Sequence, residues 1–252
     1  PTVLIVDALD NLLKHAAYRN LPGLREMYQY CIEKADVLTS NSQETTEWFK
    51  QFRVDAWHIP NGVDSNVFDP DRTYPTPDDV LDLPRPIIGY AGKMQEMFDV
   101  DLMLAASETV PHASFVLIGQ VLDPRWMKRL WERDNVHYLG DKKYASLPSY
   151  LAAFDLCLIP YSMDRQHGVD PIKFYEYWSM RKPIVTTDIG NVSHYAQDPQ
   201  IRVAMDRAAF LEGIKDFVTQ LDQGKSVPTS VVPKDCQWHT KAAYFVDAIL
   251  AA

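Results

Sequence analysis

Leu156-Cys157-Leu158-Ile159, then the loop 160–170, then Pro171-Ile172-Lys173-Phe174-Tyr175-Glu176-Tyr177-Trp178 is the stretch that decides the fold. Four apolar residues in a row are short for a helix and leave no wet face. They predict a strand buried on both sides. Beyond the loop, Asp170 is placed to cap a helix and Pro171 to fill its first position, where a missing N–H costs nothing. A buried strand feeding a helix is half of a β-α-β unit, so the sheet is expected to be parallel. The helix start then lies at the carboxyl edge of the strands, where open parallel sheets bind ligands.

The same rhythm runs in both directions from this unit. Strands are predicted at 3–6, 37–39, 56–59, 87–90, 114–118, 136–139, 156–159, 183–186 and 201–204. Helices are predicted at 24–35, 43–52, 100–110, 124–133, 147–153, 171–180, 207–220 and 240–250. Strict alternation gives an α/β fold, a doubly wound parallel sheet with right-handed crossovers. The regularity breaks after Pro60-Asn61-Gly62-Val63-Asp64, where residues 69–86 carry five prolines and read as an irregular linker. Six strands follow it, enough for a complete doubly wound domain. Only three precede it, which is thin for a sheet covered on both faces. The predicted division is therefore residues 1–62 as a partial second Rossmann-like region, 63–235 as the complete domain, and 236–252 as a closing helix that packs back on the first region. A buried-type strand that begins almost at Pro1 wants neighbours on both sides. Further sequence is expected upstream.

Composition narrows the function. Of 252 residues, 46% are hydrophobic and 23% charged, and the net charge is −9. That balance disfavours nucleic acid and anionic lipid as partners, since both need clustered Lys and Arg. Cys31, Cys157 and Cys236 are far apart and lack metal spacing. Cys157, inside an apolar run, reads as a buried free thiol in a reducing, cytoplasmic setting. No apolar stretch is long enough to span a bilayer, and no signal peptide opens the chain.

Candidate chemistry is sought where strands end. The predicted helix at 171 points its free N–H groups and positive dipole end at the sheet edge, which suits a diphosphate. Lys173 and Glu176 are three apart and share one helix face. The lysine is suited to a phosphate and the carboxylate to ribose hydroxyls. The same spacing equally describes an exposed pair of opposite charge. Gly92 after the strand at 87–90 would let a ligand approach the backbone, with Lys93 beside it; a tight turn with a surface lysine is the plainer alternative. A base would lie against the backbone around Tyr138, Leu139 and Gly140, although a charged loop there is usually only solvated. His167 lies in the central loop, where it would touch substrate; the other six histidines read as structural or surface. Neither a hydrolase triad, nor a zinc-protease helix, nor a Walker lysine motif occurs, and no cluster supports a metal.

Taken together, these segments resemble the family 4 retaining glycosyltransferases of GT-B fold. The pieces occur in order: Ala35-Asp36-Val37-Leu38-Thr39-Ser40; Ile59-Pro60-Asn61-Gly62-Val63-Asp64 with Phe68; Ile88-Gly89-Tyr90-Ala91-Gly92 with Asp99, Asp101 and Leu102; Asn135-Val136-His137-Tyr138-Leu139-Gly140; Leu147-Pro148, Tyr150-Leu151 and Phe154-Asp155 with Ile159-Pro160-Tyr161; Pro171 to Tyr177 with Lys182-Pro183-Ile184-Val185; and Gln237-Trp238. The resemblance implies that Thr2–Val6 with Asp7 and Asp10 is a late strand of an acceptor-binding domain. It implies a nucleotide-diphosphate-sugar donor site of Gly92, Lys93, Tyr138, Leu139, Gly140, Tyr161, Asp170, Ile172, Lys173 and Glu176. Lys93, Lys173 and Glu176 take the catalytic roles, and no metal or other cofactor is expected. Glu176 matches the second glutamate of the family's pair, but Gly168 stands at the first and Phe98 stands at a second basic position. Asp170 or Asp164 is expected to substitute for the glutamate, and Lys173 for the base. The implied reaction is sugar transfer with retention to a glycan or lipid-linked acceptor. The acceptor, and any membrane contact, would be held by the upstream region. Two alternatives stay open: a module of this fold that binds or builds without catalysis, and a sugar-nucleotide epimerase.

Overall fold

The protein is described by a computed structural model covering residues 3–15, 18–165 and 168–251. Thr2 of the expected first strand and His167 of the central loop lie outside these residues. In the first part, β1 (Ile5–Ala8), α1 (Leu24–Lys34), β2 (Val37–Ser40), α2 (Gln43–Phe49) and β3 (Trp57–His58) form a parallel sheet in the order β1-β2-β3. β1 starts two residues later than predicted. The Leu4 N–H is taken by the Asp36 carboxylate at 2.7 Å, and the Leu4 carbonyl accepts from the amides of Asp36 and Val37. The turn into β2 thus consumes the expected first residues of the strand.

The second part runs β4 (Ile87–Ala91), α3 (Val100–Thr109), β5 (Ser114–Ile118), α4 (Pro124–Trp131), β6 (Val136–Tyr138), α5 (Leu147–Ala153), β7 (Leu156–Ile159), α6 (Ile172–Ser179), β8 (Ile184–Thr187), β9 (Ile201–Ala204), α7 (Arg207–Asp222) and α8 (Trp238–Leu250). Six strands form one parallel sheet in the order β6-β5-β4-β7-β8-β9. Counted from β4 as the first, that order is 3-2-1-4-5-6, the doubly wound arrangement. Every residue of β4, β5, β7 and β8 is buried, because helices cover both faces. Alternate residues of β4 serve the two layers: Ile87 and Ala91 pack with Phe154, Phe174 and Tyr177, while Ile88 and Tyr90 pack with Phe115, Phe210 and Phe217. The Phe154 ring occupies the space a side chain at Gly89 would need, so the segment after α5 approaches the strand at backbone distance.

The two sheets meet along polar contacts. Asn191 donates to the Asn41 carbonyl at 3.0 Å, and its side-chain oxygen accepts from Gln43 N at 3.4 Å. Val63 and Gln237 form a parallel bridge, with Val63 N to Cys236 O at 2.9 Å and Trp238 N to Val63 O at 3.0 Å. The chain therefore enters and leaves the six-stranded unit at one place. Cys157 and Cys236 are buried free thiols, and Cys31 is free and exposed. No helix among the described residues is long and apolar enough to cross a membrane.

Candidate functional site

Strand order reverses between β4 and β7, which run side by side but whose following connections lead to opposite sides of the sheet. That divergence opens a crevice at the carboxyl edge. A cavity of about 550 Å³ lies there. Its floor and one wall are Ala91, Gly92, Tyr161, Asp170, Ile172, Lys173 and Glu176; Leu9, Asp10 and Asn41 of the three-stranded unit face them, with Tyr144 and Trp238 at the sides. Six of the ten predicted donor-site residues are thus brought together.

Lys173 is held rather than waving in solvent. Its Nζ donates to Tyr161 Oη at 2.5 Å and lies over the rings of Tyr161 and Tyr90, 4.8 and 5.3 Å from their centroids. Gly92, at φ +153°, makes the room: a Cβ there would stand 2.5 Å from Lys173 Cε and 2.8 Å from Nζ. Burial would raise the Tyr161 phenol, but the charge and hydrogen bond of Lys173 outweigh it and hold the phenol below its usual range. An ammonium on aromatic faces is attracted by their electron density and keeps donors free for a further anion.

Glu176 is only 7% exposed, which excludes the surface-pair alternative. Burial raises its carboxyl to about 7, against the pull of the Lys173 charge and of the Tyr144 hydroxyl. One helical turn before it, Pro171, Ile172 and Lys173 at the start of α6 line the same cavity.

Asp170 departs from the expected capping role. The N-cap is Pro171, with no side-chain cap hydrogen bond. The Asp170 carboxylate instead accepts from Asn61 N at 2.7 Å and from the Tyr175 hydroxyl at 3.0 and 3.1 Å. A carboxylate buried this deeply has to satisfy its own oxygens, and these donors outcompete the helix amides.

Lys93 lies on the other side of Gly92. It is exposed and lines a neighbouring cavity of about 190 Å³ with Gln120, Asp141 and Lys142. Tyr138, Leu139 and Gly140 line neither cavity. Tyr138 stacks on Trp131 and donates to Gly119 O at 3.0 Å, Leu139 N bonds Leu117 O, and Gly140 O accepts from Gly119 N at 2.9 Å. These bonds join β6 and the turn after it to β5 and the turn after it.

The two departures from the family pattern have packing reasons. Gly168 sits at φ +76°, and a Cβ there would collide with Thr45 Oγ1 and stand 3.0 Å from Ser42 Oγ. Phe98 is 3% exposed and packs edge-on against Tyr90 at 4.9 Å, so it completes the aromatic bed under Lys173. Asp164 is exposed in the turn Met163–Arg165, outside the residues that line the cavity. Sequence reasoning missed Asn41, Tyr144 and the cavity-lining place of Trp238. Asn41 directly follows a strand, a position that signals a site; Tyr144 carries no such signal. Among the described residues no group of three or more His, Cys, Asp or Glu is placed to hold a metal.

These features are those of a doubly wound α/β unit with a ligand crevice at the point where its strand order reverses. The family described as Glycosyl transferases group 1 matches residues 85–220, and the chain belongs to it. It is 22% identical over 169 residues to TuaH of Bacillus subtilis (strain 168), named for glycosyl transfer in teichuronic acid biosynthesis; the match covers 64% of this chain and 43% of TuaH. The chain thus spans less than half the length of that curated relative. Among solved structures it is similar to Anabaena HepE in complex with UDP-glucose, with a TM-score of 0.72 at 16% identity over 99% of this chain and 72% of that one. Sucrose-phosphate synthase from Thermosynechococcus elongatus gives a TM-score of 0.71 at 15% identity, covering 98% and 67%. These likenesses establish the GT-B arrangement of this fold.

Proposed function

We propose that this chain is the donor-binding portion of a glycosyltransferase, taking a nucleoside-diphosphate sugar in the crevice between β4 and β7. The observation that carries this is Lys173, pinned over Gly92 by two tyrosines, with Glu176 buried on the same wall. In this reading the diphosphate lies across the start of α6, where free N–H groups and the helix dipole favour negative charge. Lys173 meets it directly, and Lys93 faces it from the far side of Gly92. Glu176 accepts the ribose hydroxyls. As the bond to the sugar breaks, charge grows on the departing diphosphate and the anomeric carbon gains oxocarbenium character. Donors already oriented there lower the barrier without rearranging. Retention of configuration, and a glycan or lipid-linked acceptor, complete the proposal. The cationic groups named do the work, so the reading assigns no metal.

Calorimetry of the folded chain with UDP and the other nucleoside diphosphates tests it. Binding of at least one is expected, and Glu176→Ala should weaken it by roughly 1.5–3 kcal/mol, the scale of a lost charged hydrogen bond. No binding to any of them would leave a module that keeps the fold without the chemistry.

A further inference from the structure

Asp170 is a carboxylate only 5% exposed at the place where the two sheets meet. Its partners come from four different segments. Asn61 N donates to its Oδ2 at 2.7 Å, and the Asn61 side-chain amide donates to its carbonyl oxygen at 2.6 Å. The Tyr175 hydroxyl on α6 reaches both carboxylate oxygens. Asn191, the residue that also holds the Asn41 carbonyl, bonds the carboxylate from the turn after β8. The Lys241 ammonium of α8, itself 4% exposed, adds favourable charge. Asp170 lines the cavity as well. Burying a carboxylate is costly unless its oxygens are fully bonded, and every one of these partners favours the ionised form.

We propose that Asp170 is a positioning residue for the donor site: its ionised carboxylate fastens the linker at Asn61 to the first turn of α6, and so holds Lys173 and Glu176 in the geometry that grips a nucleoside diphosphate. This rests on the donor-site reading given above. Asn61 N–H and the Tyr175 hydroxyl both donate to the carboxylate. A neutral Asp170 keeps an oxygen for one of them, but its protonated oxygen no longer accepts as well, and the Tyr175 hydroxyl would have to turn and accept instead. The titratable groups around it are Tyr175 on α6, Lys241 on α8, Tyr195 in the turn Val192–Tyr195, and Cys236 in the turn before α8. Burial raises the Asp170 carboxyl to about 6, while Asn61, Tyr175, Asn191 and Lys241 draw it back. The fastening is therefore present above this value and is released as pH falls below it.

The terminal phosphate of a nucleotide titrates in the same region, which the unliganded chain avoids. Glu176 titrates there too but is common to wild type and Asp170→Asn, so the difference between the two is what is read. Amide hydrogen exchange at Asn61 and at residues 172–176, corrected for the intrinsic pH dependence of exchange, is compared at pH 8 and pH 5.5. Calorimetry with UDP is run at pH 8. For Asp170→Asn we expect about tenfold faster exchange at these amides and about tenfold weaker UDP binding at pH 8. The wild-type chain should accelerate at pH 5.5, and the variant should show a clearly smaller step, the part left to Glu176. Tyr175→Phe, which keeps the volume, should shift both readouts in the same direction by less, and it carries the test if Asp170→Asn does not fold. Wild-type UDP affinity in these variants, or exchange that ignores both pH and substitution, overturns the proposal. If no nucleoside diphosphate binds the wild type while exchange behaves as expected, the donor reading fails. The positioning role then fails with it, and the fastening stands as structural only.

Discussion

Glu176 is an acid whose charged form the fold disfavours. Its carboxyl is raised to about 7 from 4.5. Between those values the native state holds more protons than the unfolded chain, so stability falls as pH rises through that window. A shift of this size corresponds to at most ~3 kcal/mol. Asp170 contributes with the same sign from its own burial, so the informative quantity is the difference between two proteins. Glu176→Gln should flatten that part of the slope in urea denaturation at pH 4.5 and pH 8; parallel curves for both proteins would show that the carboxyl is not protonated in the fold. Donor affinity should move the other way, rising from pH 6 to 8 as the carboxylate becomes the better acceptor, and this rise should be smaller in Glu176→Gln. Gly168 makes a second argument at this scale. Restoring the family residue with Gly168→Glu places a side chain at φ +76° against Thr45, which should cost on the order of 1–3 kcal/mol. Thermal denaturation checks it, and an unchanged midpoint would mean that the loop moves aside freely. Which residues face the cavity was legible for Lys173 and Glu176, because helical spacing sets a shared face. The capping role expected of Asp170 was not legible: only the fold reveals that Asn61 and Tyr175 stand closer to its carboxylate than the helix amides do.

Helices and strands were legible almost throughout, because most buried strands are short apolar runs and four of the helices begin at a recognisable capping residue. Ser42, Asp99, Asp123 and Asp206 all cap helices with their side chains. Asp206 Oδ1 accepts from Ala209 N at 2.8 Å at the head of α7. Asp206→Ala should lower stability by about 1 kcal/mol, the usual worth of a cap. Equilibrium urea unfolding would reveal it, and no loss would mean that water caps the helix equally well. Boundaries were less legible where a partner distant in sequence decides them. β1 begins late because Asp36 claims Leu4, and β3 shrinks to Trp57–His58 with only β2 to pair with. Nothing in the sequence of 138–140 shows that Gly140 O accepts from Gly119 N, or that the Tyr138 hydroxyl donates to Gly119 O.

At the scale of the molecule, the unit downstream of the linker has a complete strand order, and the cavity is completed by residues from the other sheet. Ligand that binds here and not to the unfolded chain raises the denaturation midpoint by mass action. UDP at one hundred times its dissociation constant should therefore add about 2.7 kcal/mol, measurable in thermal scans; a shift absent at saturating UDP would argue against binding in the native cavity. The place where the chain enters and leaves the six-stranded unit has a mechanical consequence. A Cβ at Gly62 would stand 2.7 Å from the Cys236 carbonyl and 3.2 Å from Trp238 N, so the two covalent connections nearly touch. Gly62→Ala should force them apart, at a cost of roughly 1–3 kcal/mol, seen as a lower denaturation midpoint. Two connections pinned this closely act as a single pivot. Opening of the crevice is then restricted to a swing about that pivot, widest at the rim farthest from it, while the backbone at Val63 and Trp238 stays nearly still.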